Sequence, residues 1–223
     1  MVQNKGGAAD ARRRGRPRQY DPDRALAAAA VAFWKHGYSG TSLDDLAAAT
    51  GMNRPSLYAG FGDKRELYLR TLQRYREQSR AATLALLADG QTLREFLRRF
   101  YAAALDTYFG GEDGARGCYS ITTASTEAAV DPAVRKFLAD GVRATDRFLA
   151  DLIRKSRDAG EIASSADPES LAQIATATQH TLAVRSRAGF SREELTALAA
   201  AAIDMICGPA DSPGESQKPD AGR

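Results

Sequence analysis

The chain lacks most of the residues on which covalently stabilised or metal-dependent proteins rely. Two cysteines, Cys118 and Cys207, stand in 223 residues, which is too few for a disulfide framework. The two histidines, His36 and His180, show neither a metal-ligand spacing nor a neighbouring nucleophile motif, and no glycine-rich phosphate loop occurs. We therefore expect a protein that is not an enzyme, with no catalytic residues, no metal site and no cofactor.

Long hydrophobic runs are also absent. The longest run covers residues 25–34 and is mostly alanine, which is too short to cross a membrane. The first residues are charged but contain no apolar stretch of the kind found in secretory signals. These absences predict a cytoplasmic protein with reduced cysteines.

Strand-type alternation of branched and aromatic residues is missing as well. Alanine and leucine dominate an apolar fraction of 43%, which is enough for a packed core. The fold is therefore expected to be all-α. Helix caps and glycine or proline breaks predict nine helices, over about residues 21–37, 43–50, 53–60, 63–87, 92–110, 120–130, 132–159, 167–187 and 191–207.

The charge is distributed unevenly along the chain. The net charge is +3, but residues 1–18 alone carry +5, so that the remainder carries −2. A basic arm on a nearly neutral body suits an anionic polymer such as nucleic acid. We expect four regions: a disordered basic arm (1–18), a three-helix head (19–66), a six-helix body (67–207) and a disordered tail (208–223).

Residues 41–64 have the layout of a helix-turn-helix, in which the second helix of the pair enters the DNA major groove. Gly51 provides the tight turn, and Leu57 and Phe61 are expected to pin the short second helix against the preceding ones. Its other side then faces outward. The residues expected to contact bases or phosphates from this helix are Asn53, Arg54, Ser56 and Tyr58.

Helix N-termini bind phosphate through their free amides and their dipole. Thr41 and Ser42 at the second helix and Lys64 at the fourth are therefore expected to grip the DNA backbone on either side.

The stretch from Tyr20 through Phe33-Trp-Lys-His-Gly-Tyr-Ser-Gly-Thr-Ser-Leu to Gly51-Met-Asn-Arg-Pro-Ser-Leu-Tyr-Ala-Gly-Phe-Gly-Asp-Lys-Arg-Glu-Leu67 resembles the DNA-binding region of the tetracycline-repressor (TetR/AcrR) family of bacterial regulators. The likeness covers about residues 19–70. It implies backbone contacts by Thr41, Tyr58 and Lys64, and a body that binds a small-molecule effector and dimerises. The body matches the family only in size, helicity and a few local features.

The arm contains Arg14-Gly15-Arg16-Pro17, which is similar to the core of an AT-hook. In such a motif Arg14 and Arg16 lie in a narrow A·T-rich minor groove. The alternative is a tail that attracts DNA only by its charge.

The last two helices carry continuous apolar stripes. The resemblance implies a four-helix dimer interface built from them; the alternative is that the stripes face the core of one protomer. The candidate interface residues are Leu171, Ile174, Thr178, Leu182, Leu195, Leu198, Ala202 and Ile206.

Residues 116–127 place many hydroxyl groups on a helix that should be largely buried. They either line a polar pocket or bond back to helix carbonyls. The neighbouring aromatic residues of the fifth helix are either pocket wall or plain core. The candidate effector-binding residues are Phe96, Phe100, Tyr101, Tyr108, Cys118, Tyr119, Thr122, Thr126, Gln179 and His180.

Gly117-Cys118 also looks like part of a TetR subgroup in which some members sense electrophiles or oxidants through such a cysteine. A helix N-terminus and Arg116 would lower the thiol pKa. The alternative is a small buried apolar residue.

The functional prediction is a dimeric repressor that a small-molecule effector releases from a near-palindromic double-stranded operator. We expect the effector to shift the fourth helix, which links the pocket to the head. The alternatives are a cysteine-based sensor and a DNA-binding protein without an effector.

Overall fold

The computed structural model describes residues 21–111 and 114–209, and within these ranges the chain is helical without any strand. The all-α prediction is confirmed. In the same ranges no helix is long and apolar enough to cross a membrane. The helices are α1 (Pro22–Gly40), α2 (Leu43–Thr50), α3 (Arg54–Phe61), α4 (Lys64–Leu84), α5 (Leu93–Phe109), α6 (Ser125–Glu127), α7 (Pro132–Asp158), α8 (Pro168–Arg187) and α9 (Arg192–Cys207). The basic arm and the residues after 209 lie outside the described residues.

Most helices begin where the capping residues predict. Reciprocal capping boxes open α4 at Asp63, α5 at Thr92 and α9 at Ser191. A fourth opens α2, where Ser42 rather than Thr41 is the cap. Helical residues of α1 extend to Gly40, but Gly37, the predicted end of the first helix, has non-helical backbone angles (φ +73°, ψ +172°) and breaks the helix there.

The predicted helix over residues 120–130 is instead a π-helical turn (Ser120–Ala124) followed by the short α6. The hydroxyls of Thr122 and Thr123 donate to the carbonyls four residues earlier, each at 2.7 Å. Such back-bonding competes with the regular helix ladder, and π-turns are frequent at functional sites. The hydroxyls of these two threonines thus bond back to the helix, one of the two outcomes that the sequence left open.

Two clusters of buried side chains organise the molecule. The body core joins α5, α7, α8 and α9. The head core joins α1–α3 to the first half of α4, and also takes in Tyr119 and the start of α7 at Val134 and Phe137. Leu67, just beyond the predicted boundary of the head, is fully buried in this second cluster. Packing therefore does not divide the chain at residues 66 and 67.

A joint of aromatic rings connects α1 and α4 to the segment that leads into the π-turn. Trp34 and Tyr75 each lie within 5.5 Å of the Tyr119 ring, measured between centroids. The indole Nε1 of Trp34 donates to the carbonyl of Arg116 at 3.0 Å, and the buried hydroxyl of Tyr68 donates to Thr123 at 2.9 Å. At this place the head and the body are therefore joined by packed side chains. We call Trp34, Tyr68, Thr71, Tyr75 and Tyr119 the aromatic joint.

Gly117 and Gly51 form a matched pair for testing how tightly this region packs. Both have positive φ, +66° and +67°, but a Cβ at Gly117 would lie 2.5 Å from the carbonyl oxygen of Ala183, whereas a Cβ at Gly51 meets nothing within 4 Å. We expect Gly51→Ala to cost about 1–2 kcal/mol of unfolding free energy through backbone strain alone. Gly117→Ala should cost roughly 1–3 kcal/mol more, because the neighbouring backbone must move. Urea unfolding followed by circular dichroism at one protein concentration compares them, and equal losses would contradict the close approach of segment and α8.

Candidate nucleic-acid interface and effector site

The helix α3 is held by its apolar side and presents its polar side. Leu57 and Phe61 are 2% and 4% exposed and pack with Leu46 of α2, as predicted. Asn53, at the N-cap, accepts a hydrogen bond from the amide of Ser56 through its side-chain oxygen at 2.9 Å. Its side-chain amino group is not engaged by this cap. Tyr58 lies on the outer side with 49% of its surface exposed.

Arg54 is exposed but already paired. Its Nε and Nη2 atoms donate to the two carboxylate oxygens of Asp44 at 2.8 and 2.5 Å, which ties α3 to α2. A guanine would accept its two hydrogen bonds from the same edge of the guanidinium. Asp44, which the sequence analysis did not single out, therefore occupies the edge of Arg54 that a contact with guanine would require. The sequence did contain one indication of this ion pair, namely a carboxylate on α2, ten residues before the arginine.

The predicted backbone contacts fare differently. The side chain of Thr41 is fully buried, and its hydroxyl donates to the carbonyl of Gly37 at 2.6 Å, which closes the end of α1. The predicted phosphate contact by this side chain is therefore wrong for this conformation. Ser42 is exposed at the N-terminus of α2, and Lys64 begins α4 with its Nζ 4.5 Å from the centre of the Tyr38 ring. These two residues remain candidates. Arg14 and Arg16 lie outside the described residues.

In the body, the aromatic candidates are core side chains. Phe96, Phe100, Tyr101 and Tyr108 are 1–3% exposed. The Tyr101 hydroxyl donates to the carbonyl of Ala175 at 3.1 Å. Core packing was the alternative that the sequence left open for this set.

Two further candidates are not in the body core. Tyr119 belongs to the aromatic joint, where its hydroxyl and that of Thr71 hydrogen-bond at 2.8 Å. Thr126 is exposed on α6. The exposure of Thr126 contradicts a place in an internal pocket, whereas effector binding by the buried Tyr119 stays a prediction.

Cys118 stands at the N-terminal end of the π-turn with the hydroxyl of Tyr75 3.5 Å from its sulfur. Burial raises the pKa of its thiol. The guanidinium of Arg116 lies 4.1 Å from the centre of the Trp34 ring. Of the two interpretations that the sequence left open, the raised thiol pKa contradicts an activated thiol and agrees with a small buried apolar residue.

The remaining effector candidates lie near one another. The backbone carbonyl of Gln179 accepts a hydrogen bond from the Tyr108 hydroxyl at 3.5 Å. Gly117 lies against both Thr122 and the carbonyl oxygen of Ala183, which is one turn further along α8. His180 is largely buried, which lowers its pKa, and the nearby charge of Asp146 acts in the opposite direction. The sequence analysis missed Asp146. Its signal was its spacing on α7, three and seven residues before the buried Leu149 and Ile153.

The predicted dimer stripes face inward. Leu182, Leu195, Ala202 and Ile206 are at most 7% exposed within one protomer, Thr178 is 9% exposed, and Leu171 and Leu198 pack against the body core. These positions are core positions, and of the predicted set only Ile174 is exposed, at 42%. The most apolar face of each helix packs against the core of its own protomer. The exposed apolar surface of α8 and α9, together with the turn between them, includes Ile174, Ala177, Val184, Phe190, Ala197, Ala201 and Met205.

Comparison with known proteins places this architecture. A family profile described as bacterial regulatory proteins of the tetR family matches residues 25–71, and a tetracyclin repressor-like C-terminal domain matches residues 90–202. The HTH-type transcriptional repressor ComR of Escherichia coli (strain K12) is 31% identical over 192 residues, which cover 86% of this chain and 91% of ComR. The HTH-type transcriptional repressor BdcR of the same strain is 27% identical over 86% of this chain and 92% of BdcR.

Solved structures agree. A cysteine mutant of the TetR family regulator CifR, bound to 26bp double-strand operator DNA, is 30% identical with a TM-score of 0.76, covering 84% of this chain and 98% of CifR. The reduced form of E. coli NemR shares the fold, with 19% identity and a TM-score of 0.74 over 85% of this chain and 98% of NemR. Because the C-terminal profile alone spans half of the sequence and the N-terminal profile covers the helix-turn-helix, the chain belongs to the tetR family of bacterial regulatory proteins, whose members are transcriptional regulators and not enzymes.

Proposed function

We propose that this regulator binds a near-palindromic operator as a homodimer, represses transcription there, and is released by a small-molecule effector that binds in the body. The observation that carries the DNA-binding part is the outward side of α3. Asn53, Arg54 and Tyr58 are exposed together on a helix whose opposite side is buried. The likeness to CifR, whose structure holds operator DNA, supports the same use of this surface.

A single short recognition helix reads few base pairs, so two heads on a two-fold axis are needed for a specific site. The exposed apolar surface of α8 and α9 is the surface we propose to pair two protomers. Val184 and Met205 are 55% and 77% exposed there, and alanines at positions 177, 197 and 201 allow helices to approach closely. Exposed apolar surface of this kind is typical of an interaction site.

The aromatic joint supplies the connection between effector and head. Segment 116–119 contacts the head through Trp34 and continues directly into the π-turn, which packs against α7 and α8. A second tie lies at the surface, where the Arg65 guanidinium at the start of α4 forms an ion pair with Asp131, the N-cap of α7. An effector that displaces the π-turn would therefore move both α1 and α4. A coupling of about 1–3 kcal/mol changes operator occupancy 5- to 150-fold.

A cysteine-based response is the alternative form of regulation. The CifR structure is that of a cysteine mutant, and the NemR structure is described as the reduced form. The likeness to CifR and the fold shared with NemR are therefore compatible with a cysteine-based response. A thiol that burial keeps protonated near neutral pH reacts slowly with oxidants, so we favour a non-covalent effector. Cys118→Ser separates the two: it should leave release by the effector intact, whereas a cysteine sensor would lose its response.

The first test concerns operator recognition. Selection of binding sites from a random duplex library should yield an inverted repeat, which supplies the operator for fluorescence anisotropy. Arg54→Ala should then weaken binding to this site roughly 5- to 150-fold and relax the preference at one base pair in each half-site. Arg98→Ala, which removes an equally exposed charge from α5, is the matched control and should bind normally. Equal losses in both variants would reduce Arg54 to a general electrostatic role, and a library that yields no enriched site would refute the proposed function.

The second test concerns the basic arm. Deletion of residues 1–18 removes five arginines and one lysine. Each phosphate contact contributes about 0.9 to the slope of log K against log salt, so that the slope should fall by several units if the arm binds DNA. A variant with Arg14 and Arg16 alone changed to alanine should lose its preference for A·T-rich flanks if these residues read the minor groove. An unchanged slope and flank preference would remove the arm from the interface.

The third test concerns the dimer. Met205→Glu places a charge on the exposed face of α9 and should yield monomers in size-exclusion chromatography with light scattering, with loss of specific binding to the selected site. Thr196→Glu, nine residues earlier and half a turn around the helix, adds the same charge to another exposed position. It should remain dimeric. Dimers in both variants would place the interface elsewhere.

A further inference from the structure

A partly buried carboxylate lies on the inner side of α7. Asp146 stands three, four and seven residues before Leu149, Ala150 and Ile153, all of which are buried, so that it lies on the side of the helix that faces the protein. Its Oδ1 atom is inaccessible to solvent and has no hydrogen-bond partner. Its neighbours along the helix, Arg143 and Arg147, are exposed. No ion pair with Asp146 occurs in the described part of the chain.

The helix packed against α7 adds two polar groups. Thr176 and His180 are one turn apart on α8 and therefore share one stripe. Thr176 is 2% exposed, and its hydroxyl also has no partner. The His180 side chain is close enough to Asp146 for the two charges to interact. The π-turn packs against both helices, which brings it to the same junction.

These groups are costly as they stand. A polar atom that is inaccessible to solvent and has no hydrogen-bond partner loses its interaction with water and gains none within the protein. His180 does not neutralise Asp146, because burial lowers the pKa of the imidazole and favours its uncharged form. The junction therefore holds a carboxylate oxygen and a hydroxyl oxygen that are both inaccessible to solvent and without a hydrogen-bond partner. In the described part of the chain no cation is paired with this carboxylate.

We propose that this junction is where the effector binds, and that the effector carries a protonated amine on an apolar body. This inference rests on the proposed effector control of the same body. The ammonium group would donate to Asp146 Oδ1 and to Thr176 Oγ1, and the buried aliphatic side chains of Leu149 and Ile153 would contact the apolar part. An anionic compound of the same shape would be rejected by Asp146.

A metal ion fits the junction less well than an organic cation. Hard cations take six or more oxygen ligands, and the junction offers one carboxylate. Within residues 21–111 and 114–209 no group of three or more histidine, cysteine, aspartate or glutamate side chains is arranged to hold a metal ion.

The test compares three probes that share one ring and differ in charge: benzylamine, benzyl alcohol and benzoate. Thermal unfolding of the full-length protein is followed with each probe at up to millimolar concentration. A probe at ten times its dissociation constant raises the melting temperature by about 3–6 °C for a chain of this size. We expect this shift with benzylamine and neither with benzyl alcohol nor with benzoate.

Two variants locate the effect. Asp146→Asn keeps the shape but removes the charge, and should abolish the benzylamine shift. Asp151→Asn changes an exposed carboxylate of the same helix, paired with Arg154, and should retain it. Without any probe, Asp146→Asn should unfold at the same temperature as the wild type or a higher one, because an uncompensated charge has been removed.

Three outcomes with the probes overturn the proposal: equal shifts with amine and benzoate, an amine shift that survives in Asp146→Asn, or no amine shift in the wild type. A lower melting temperature of Asp146→Asn without probe also overturns it, since the carboxylate would then be a structural group. None of these measurements involves DNA. Their failure is therefore distinct from a failure of the wild-type protein to select an operator.

Discussion

The shared packing of head and body around Trp34 and Tyr119 is the constraint on which the rest of the structure depends. The rings pack together where α1, α4 and the segment before the π-turn meet. The hydrogen bond from Trp34 to the carbonyl of Arg116 fixes the position of this segment relative to α1. A recognition helix of eight residues cannot hold its orientation alone. Packing against this core holds its orientation. A rearrangement of residues 116–124 would therefore also move residues of the head.

Local signals predicted the helices well because they act over a few residues. The capping boxes at Asp63, Thr92 and Ser191 and the left-handed Gly51 are determined by neighbours in sequence, and the structure has all of them. The π-turn could not be foreseen in this way. Whether Thr122 and Thr123 bond back to carbonyls or outward depends on what packs around them, which no local pattern contains.

Exposure was the other quantity that the sequence predicted poorly. Periodicity identified apolar stripes on α8 and α9, but it cannot say which protomer an apolar face covers, and Leu182 and Leu195 cover their own. The same limit hid Asp146, since a charged residue in a helix is ordinarily taken as solvent-facing. Thr41 was misassigned because a small hydroxyl side chain suits both an exposed helix cap and a buried position, and its type alone does not distinguish the two. Roles of the outward residues of α3 stay predictions.

The Asp44–Arg54 ion pair has a consequence for how the protein discriminates between bases. Under the proposed function, the pair must break before a base can accept hydrogen bonds from Arg54. Because both side chains are more than half exposed, breaking the pair costs at most about 1 kcal/mol. A guanine that accepts both hydrogen bonds offsets this cost, whereas a base that accepts one or none does not, so the pair would add a small preference for the correct base.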